Sequence, residues 1–145
     1  MKRGLPALLA VVVAGAVILA GCNGADKAAG PAETAGARLA TRSVEAGEVD
    51  VKVTPARLDD SGAAFEVVLD THAVELDMEL AKTARLEVDG TPWTGAAWEG
   101  AGPGGHHREG TLSFDAVGPA TGRAVLTIEG LPAPVEAAWD LAGGS

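Results

Sequence analysis

The sequence predicts an all-β domain of seven or eight antiparallel strands packed as a β-sandwich, set behind an apolar leader and a polar tether. Three observations predict it. From Glu48 onward, apolar and polar residues alternate with a period of two, so each run has one dry face and one wet face. Gly, Pro or Asp recurs at roughly 8–12 residues, the spacing of turns between short strands. Beyond the leader there is no long helical period, no internal repeat and no second domain.

The leader comes first. Lys2 and Arg3 precede an apolar run over residues 5–20, broken only by Pro6 and Gly15. A positive start before such a run suits a secretory signal. The run falls short of the roughly 20 apolar residues that span a bilayer. Residues 23 to about 47 are rich in Ala, Gly, Thr and Glu and poor in large apolar side chains. They read as a flexible tether; about 25 such residues give an r.m.s. reach of roughly 25–30 Å. A short helix over residues 35–44 is compatible with this composition and is not required. The organisation is thus a leader at 1–21, a tether at 22–47 and a folded domain at 48–145.

The strands follow in order. Val49, Val51 and Val53 alternate with Asp50, Lys52 and Thr54. Phe65, Val67 and Leu69 alternate with Glu66 and Asp70. Val74, Leu76, Met78 and Leu80 alternate with Glu75, Asp77 and Glu79 in the clearest run of all. Leu86 and Val88 lead into Asp89-Gly90, a strong hairpin signal. Residues 91–98 make an eighth strand if they pair back across that turn, although Pro92 and Gly95 suit edges and breaks. Leu112 and Phe114 mark another strand, residues 123–129 the next, and Val135, Ala137, Trp139 and Leu141 the last. This succession fits an immunoglobulin-like sandwich in architecture. The Cys–Trp–Cys spacing of true immunoglobulin domains is absent, because Cys22 is the single cysteine.

Leu19-Ala20-Gly21-Cys22 follows the apolar run directly. These four residues resemble the cleavage motif of bacterial lipoproteins, in which a Leu and two small residues precede the Cys that receives diacylglyceryl. The resemblance covers only the first 22 residues. It implies cleavage between Gly21 and Cys22 and a membrane anchor through lipid on Cys22. Two or three acyl chains, at about 0.8 kcal/mol per buried CH₂, hold stably where one is marginal. A lipidated Cys22 leaves no thiol for a disulfide within the chain, so stability rests on the core. Loss of Lys2 and Arg3 with the leader moves the formal net charge from -9 to -11. That acidity argues against nucleic acid as a partner and is chiefly a solubility device.

All three histidines fall between strands. Asp70-Thr71-His72 follows the second run, and His106-His107 follows a glycine-rich stretch over residues 99–105. Imidazole beside carboxylate suits zinc or copper. In an extended segment Asp70 and His72 point to one side, whereas His106 and His107 point apart, so Asp70, His72 and one of His106 or His107 form the candidate ligand set. The alternative is that these histidines serve loop structure, bonding carbonyls that need partners. Strand parity decides whether the two loops meet. Seven strands place them at one end; an eighth at residues 91–98 places them at opposite ends, roughly 25 Å apart.

The segments Asp70-Thr71-His72, Trp98-Glu99-Gly100 and Gly104-Gly105-His106-His107-Arg108 are also similar to stretches in short exported bacterial proteins. That likeness implies the same sandwich and the same exported setting, and brings no activity. Other chemistry is weaker. The glycine run does not pass from a strand into a helix, so it is no phosphate loop. Ser61 and Ser113 lack a nucleophile-elbow pattern. The carboxylates fall on wet faces, with no separable glycosidase pair. Trp93 and Trp98 flank the long loop and are candidates for stacking on sugar or for core packing. Arg108 reads as a surface partner of a carboxylate. The expectation is therefore a lipid-anchored module of the cell envelope, on the extracytoplasmic face of the membrane, binding an envelope protein or polymer. A zinc- or copper-binding protein is the alternative, and a metal-dependent hydrolase using Glu99 or Glu109 is the third.

Overall fold

The computed structural model describes residues 39–141. The leader, the Leu19-Ala20-Gly21-Cys22 motif and most of the tether lie outside them. The described chain is nearly all antiparallel β. Its strands are β1 (Arg42–Glu45), β2 (Val49–Asp59), β3 (Gly62–Thr71), β4 (Ala84–Val88), β5 (Thr91–Gly100), β6 (His107–Asp115), β7 (Gly122–Ile128) and β8 (Val135–Leu141), with one helical turn, α1 (Leu80–Thr83), before β4. They form one eight-stranded sheet in the order β1-β2-β3-β6-β5-β4-β7-β8. The sheet nearly closes on itself. Arg42 Nε of β1 donates to Ala138 O of β8 at 2.9 Å, and Trp139 Nε1 donates to Ala40 O at 2.6 Å.

The period of two sets what goes inside. Val49, Val51 and Val53 of β2, Phe65, Val67 and Leu69 of β3, and Val135, Ala137 and Trp139 of β8 are all buried. Phe65 stacks on Trp139 with centroids 5.3 Å apart and meets Phe114 edge-on at 6.3 Å. Aromatic pairs of this kind add about 0.5–1.5 kcal/mol beyond their burial. The Asp89-Gly90 hairpin forms as its residues require, with φ of 50° and 77° in the left-handed region. β5 then changes partner along its length. Its first residues pair with β4, while Thr94 and the residues from Ala97 onward pair with β6. The ladder shifts between Thr94 and Ala97, where Gly95 adopts φ 67° and an added Cβ would run into the Asp115 carboxylate.

Two expectations are corrected and one open alternative is decided. Residues 74–80 are not a strand. Leu76, Met78 and Leu80 are buried and Glu75, Asp77 and Glu79 exposed, so the alternation is real. The segment instead carries the chain from β3 to β4, which are separated in the sheet by β6 and β5. Residues 91–98 are a full strand despite Pro92 and Gly95. The folded part also starts before Glu48: β1 pairs with β2 from Arg42↔Val53 to Glu45↔Asp50, and Ala46 is fully buried. Among the described residues no helix is long and apolar enough to cross a membrane.

Candidate functional site

The two histidine loops share one end of the sheet. β3 and β6 are antiparallel neighbours with Asp70↔His107, Leu69↔Arg108 and Val68↔Glu109 in register. The shared end expected of seven strands is therefore reached with residues 91–98 paired, because residues 74–80 are not. The turn beyond β3 is built by Thr71, which is buried. Its hydroxyl donates to Glu48 O at 2.7 Å and accepts from the Ala73 and Val74 amides at 3.2 and 3.4 Å, while its own N–H donates to His106 O at 2.9 Å.

Cross-strand register brings Asp70 to His107. Asp70 Oδ1 lies 2.5 Å from His107 Nδ1, and Glu109 Oε2 lies 3.7 Å from His107 Nε2. The hydrogen bond to Asp70 raises the imidazole pKa above its ordinary value. Desolvation opposes the rise, and the Asp70 and Glu109 charges assist it. Asp70 in turn faces Asp50 of β2, and Asp50 faces Glu45 of β1. Ser43, Glu45, Asp50, Lys52, Val68 and Asp70 line an open groove over this outer face.

This is not the metal arrangement that the sequence suggested. Asp70 and Glu109 take opposite nitrogens of His107, so they do not converge on one point. His72 lies in the bend held by Thr71, where the extended parity that would align it with Asp70 has ended. His106 contributes its backbone carbonyl. Among the described residues, no three His, Cys, Asp or Glu side chains gather where one ion could sit.

The aromatic pair is likewise not a stacking platform. Trp93 is buried, and its Nε1 has no partner among the described residues. Trp98 is half-buried, donates from Nε1 to Ala101 O at 2.9 Å, and lies 5.6 Å beneath the Arg108 guanidinium.

Arg108 is the residue that sequence reasoning misplaced. It is 1% exposed and, among the described residues, has no carboxylate partner. Nη1 donates to Leu76 O at 3.1 Å and Met78 O at 2.6 Å, and Nε and Nη2 donate to Ala101 O, each at 3.2 Å. Burial pushes its pKa down. The guanidinium thus takes the place of a neighbouring strand for residues 74–80, and Gly104 N and Gly105 O complete the pairing at Leu76. The signal was in β6 itself. Leu112 and Phe114 face inward, so steps of two reach Gly110 and then Arg108 on the same face. Gly110 pairs with Gly100, and a Cβ on Gly110 would sit 2.7 Å from the Trp98 ring that Arg108 covers.

Comparison with family models, with characterised proteins and with solved structures finds no match to this chain.

Proposed function

We propose that this chain is a lipid-anchored binding module of the cell envelope, held by Cys22 on the extracytoplasmic face of a membrane. The observation that carries the reading is Leu19-Ala20-Gly21-Cys22 placed directly behind the apolar run. One small β domain follows it. The surface offered to a partner protein or envelope polymer is the outer face of β1, β2, β3 and β6, where the groove beside Asp50 and Asp70 lies. On this reading β1-β2-β3-β6 and β4-β7-β8, joined through β5, act as the two layers of an immunoglobulin-like sandwich; the Phe65–Trp139 stack between β3 and β8 supports that pairing.

Two measurements test it. Cells fed a labelled fatty acid should label the wild-type chain and not Cys22→Ser. Mild crosslinking on intact cells should then recover a partner with wild type and less of it with Asp50→Lys, which changes the groove and leaves the core. Equal labelling of both chains would refute the anchor. Recovery of nothing above an unrelated anchored control, or recovery indifferent to Asp50→Lys, would refute the binding face.

A further inference from the structure

We propose that the loops over residues 72–76 and 101–106 form a pH-sensitive clasp, closed while both ring nitrogens of His107 are protonated and looser once the ring is neutral. Neither the anchor nor the binding face is needed for this. Three backbone bonds join the two segments. Thr71 N–H donates to His106 O at 2.9 Å, Leu76 N–H to Gly105 O at 2.9 Å, and Gly104 N–H to Leu76 O at 2.8 Å. His72, Ala73 and Glu75 are exposed, and so is every residue from Ala101 to His106 except the half-buried Gly104. Segments with exposed backbone bonds and few buried side chains open locally while the core stays closed. His107 stands at the root of the clasp. Asp70↔His107 is the last paired rung of β3 and β6, and the Thr71–His106 bond is the next step outward.

The ring has a carboxylate at each nitrogen. Asp70 Oδ1 lies 2.5 Å from Nδ1, and Glu109 Oε2 lies 3.7 Å from Nε2. An ionised carboxylate only accepts, and a neutral imidazole carries one N–H, so only the protonated ring presents a proton to both. In the neutral ring, one nitrogen lone pair faces a carboxylate. The side-chain tie between β6 and β3 at this rung is therefore complete only in the charged form.

The groups around the ring make its charge count. Asp50 of β2 faces Asp70, and Glu45 of β1 faces Asp50. Like charges directly opposite one another across strands are destabilising. Lys52 of β2 faces Val68, and among the described residues it forms no ion pair. On the other side, Gly100 and Ala101 bring no charge to the start of β6. Glu48, His72, Glu75 and His106 are the remaining titratable residues of the adjoining turns. Loss of the His107 proton thus leaves four carboxylates on this face, those of Glu45, Asp50, Asp70 and Glu109, without the cation placed among them. The Asp70 hydrogen bond raises the imidazole pKa, so the clasp is fully held below about pH 6.5 and loosens as pH rises through the folded value.

Hydrogen exchange of the full chain, read by mass spectrometry and corrected for the intrinsic pH dependence, tests this between about pH 5.5 and 8.5. Peptides spanning residues 72–80 and 101–108 should lose protection by about two- to five-fold as pH rises, the range of an exposed ion pair. A peptide spanning β7 should not change. The step should vanish in His107→Gln, shrink in Asp70→Asn, and persist in His72→Ala and His106→Ala. The proposal is overturned if wild type shows no step, or if His107→Gln keeps it. It is equally overturned if β7 loses protection in parallel, because the whole domain and not the clasp would then be loosening.

Discussion

Replacing Arg108 by Ala tests whether one side chain closes the end of the sheet. The substitution removes every donor from Met78 O, which has no other partner among the described residues. Leu76 O keeps the Gly104 amide, and Ala101 O keeps Trp98 Nε1. One buried carbonyl is thus orphaned, at about 1–3 kcal/mol. The stacking on Trp98 is lost as well, at about 0.5–2 kcal/mol. The deleted side chain leaves a void, while removal of a buried cation gives back part of its desolvation. These opposing contributions leave a net loss of about 2–4 kcal/mol for Arg108→Ala. Arg108→Met fills the void and also lacks the charge, so it should lose less, about 0–2 kcal/mol. Urea unfolding followed by tryptophan fluorescence reads both, since Trp98 lies beneath the guanidinium. With a slope of about 1–1.5 kcal/mol per molar urea, Arg108→Ala should lower the midpoint by about 2 M. A loss under about 1 kcal/mol for Arg108→Ala would refute the role assigned to Arg108. So would an Arg108→Met variant clearly more stable than wild type.

Other outcomes follow from the same end of the molecule. The His107 pKa is raised by Asp70, so the stability it contributes is fully present below the unfolded value of about 6.5 and is lost as pH rises through the folded value. Asp70→Asn should lower the His107 titration midpoint seen by NMR and flatten that part of the stability profile; an unmoved midpoint would deny the pair. Gly110→Ala places a Cβ 2.5 Å from Glu99 O and 2.7 Å from the Trp98 ring, so overpacking should cost at least about 1–3 kcal/mol and alter the near-ultraviolet tryptophan signal. His72→Ala should leave stability within about 0.5 kcal/mol of wild type. Added zinc or copper should not raise the melting temperature; a gain near the roughly 2.7 kcal/mol expected at hundredfold saturation would restore the metal reading.

Residues 74–80 show what periodicity reports and what it omits. The alternation says which side chains face inward, and it was right at every position from Glu75 to Leu80. It says nothing about what satisfies the backbone polar groups, which here is a donating guanidinium and a glycine loop. Residues 91–98 show the converse. Pro92 and Gly95 weaken a strand only where a ladder bond or a regular register is needed. Pro92 pairs near the hairpin, and Gly95 sits at the bulge where β5 leaves β4 for β6. β1 was hidden because four residues, Arg-Ser-Val-Glu, carry too little apolar surface to stand out. Its place comes from the next strand on one side, where Arg42 meets Val53, and from Ala138, far along the chain, on the other.

One misread strand and one left open offset each other in the count that places the histidine loops. Losing the strand at residues 74–80 reverses the direction of everything after it, and gaining residues 91–98 reverses it again, so β6 starts beside the end of β3. Proximity then depended on register and not on topology alone. With Asp70 opposite His107, the carboxylate expected in the ligand set is committed to one ring nitrogen, and Glu109 approaches the other from along the same strand. One residue further on, the pleat turns Arg108 inward against Leu69. The consecutive pair His107-Arg108 therefore divides its chemistry between two faces of one strand: an imidazole held by carboxylates outside, and a guanidinium held by carbonyls inside. That division follows from a period of two, and it explains why a dense cluster of polar residues in the sequence becomes two separate arrangements in the fold.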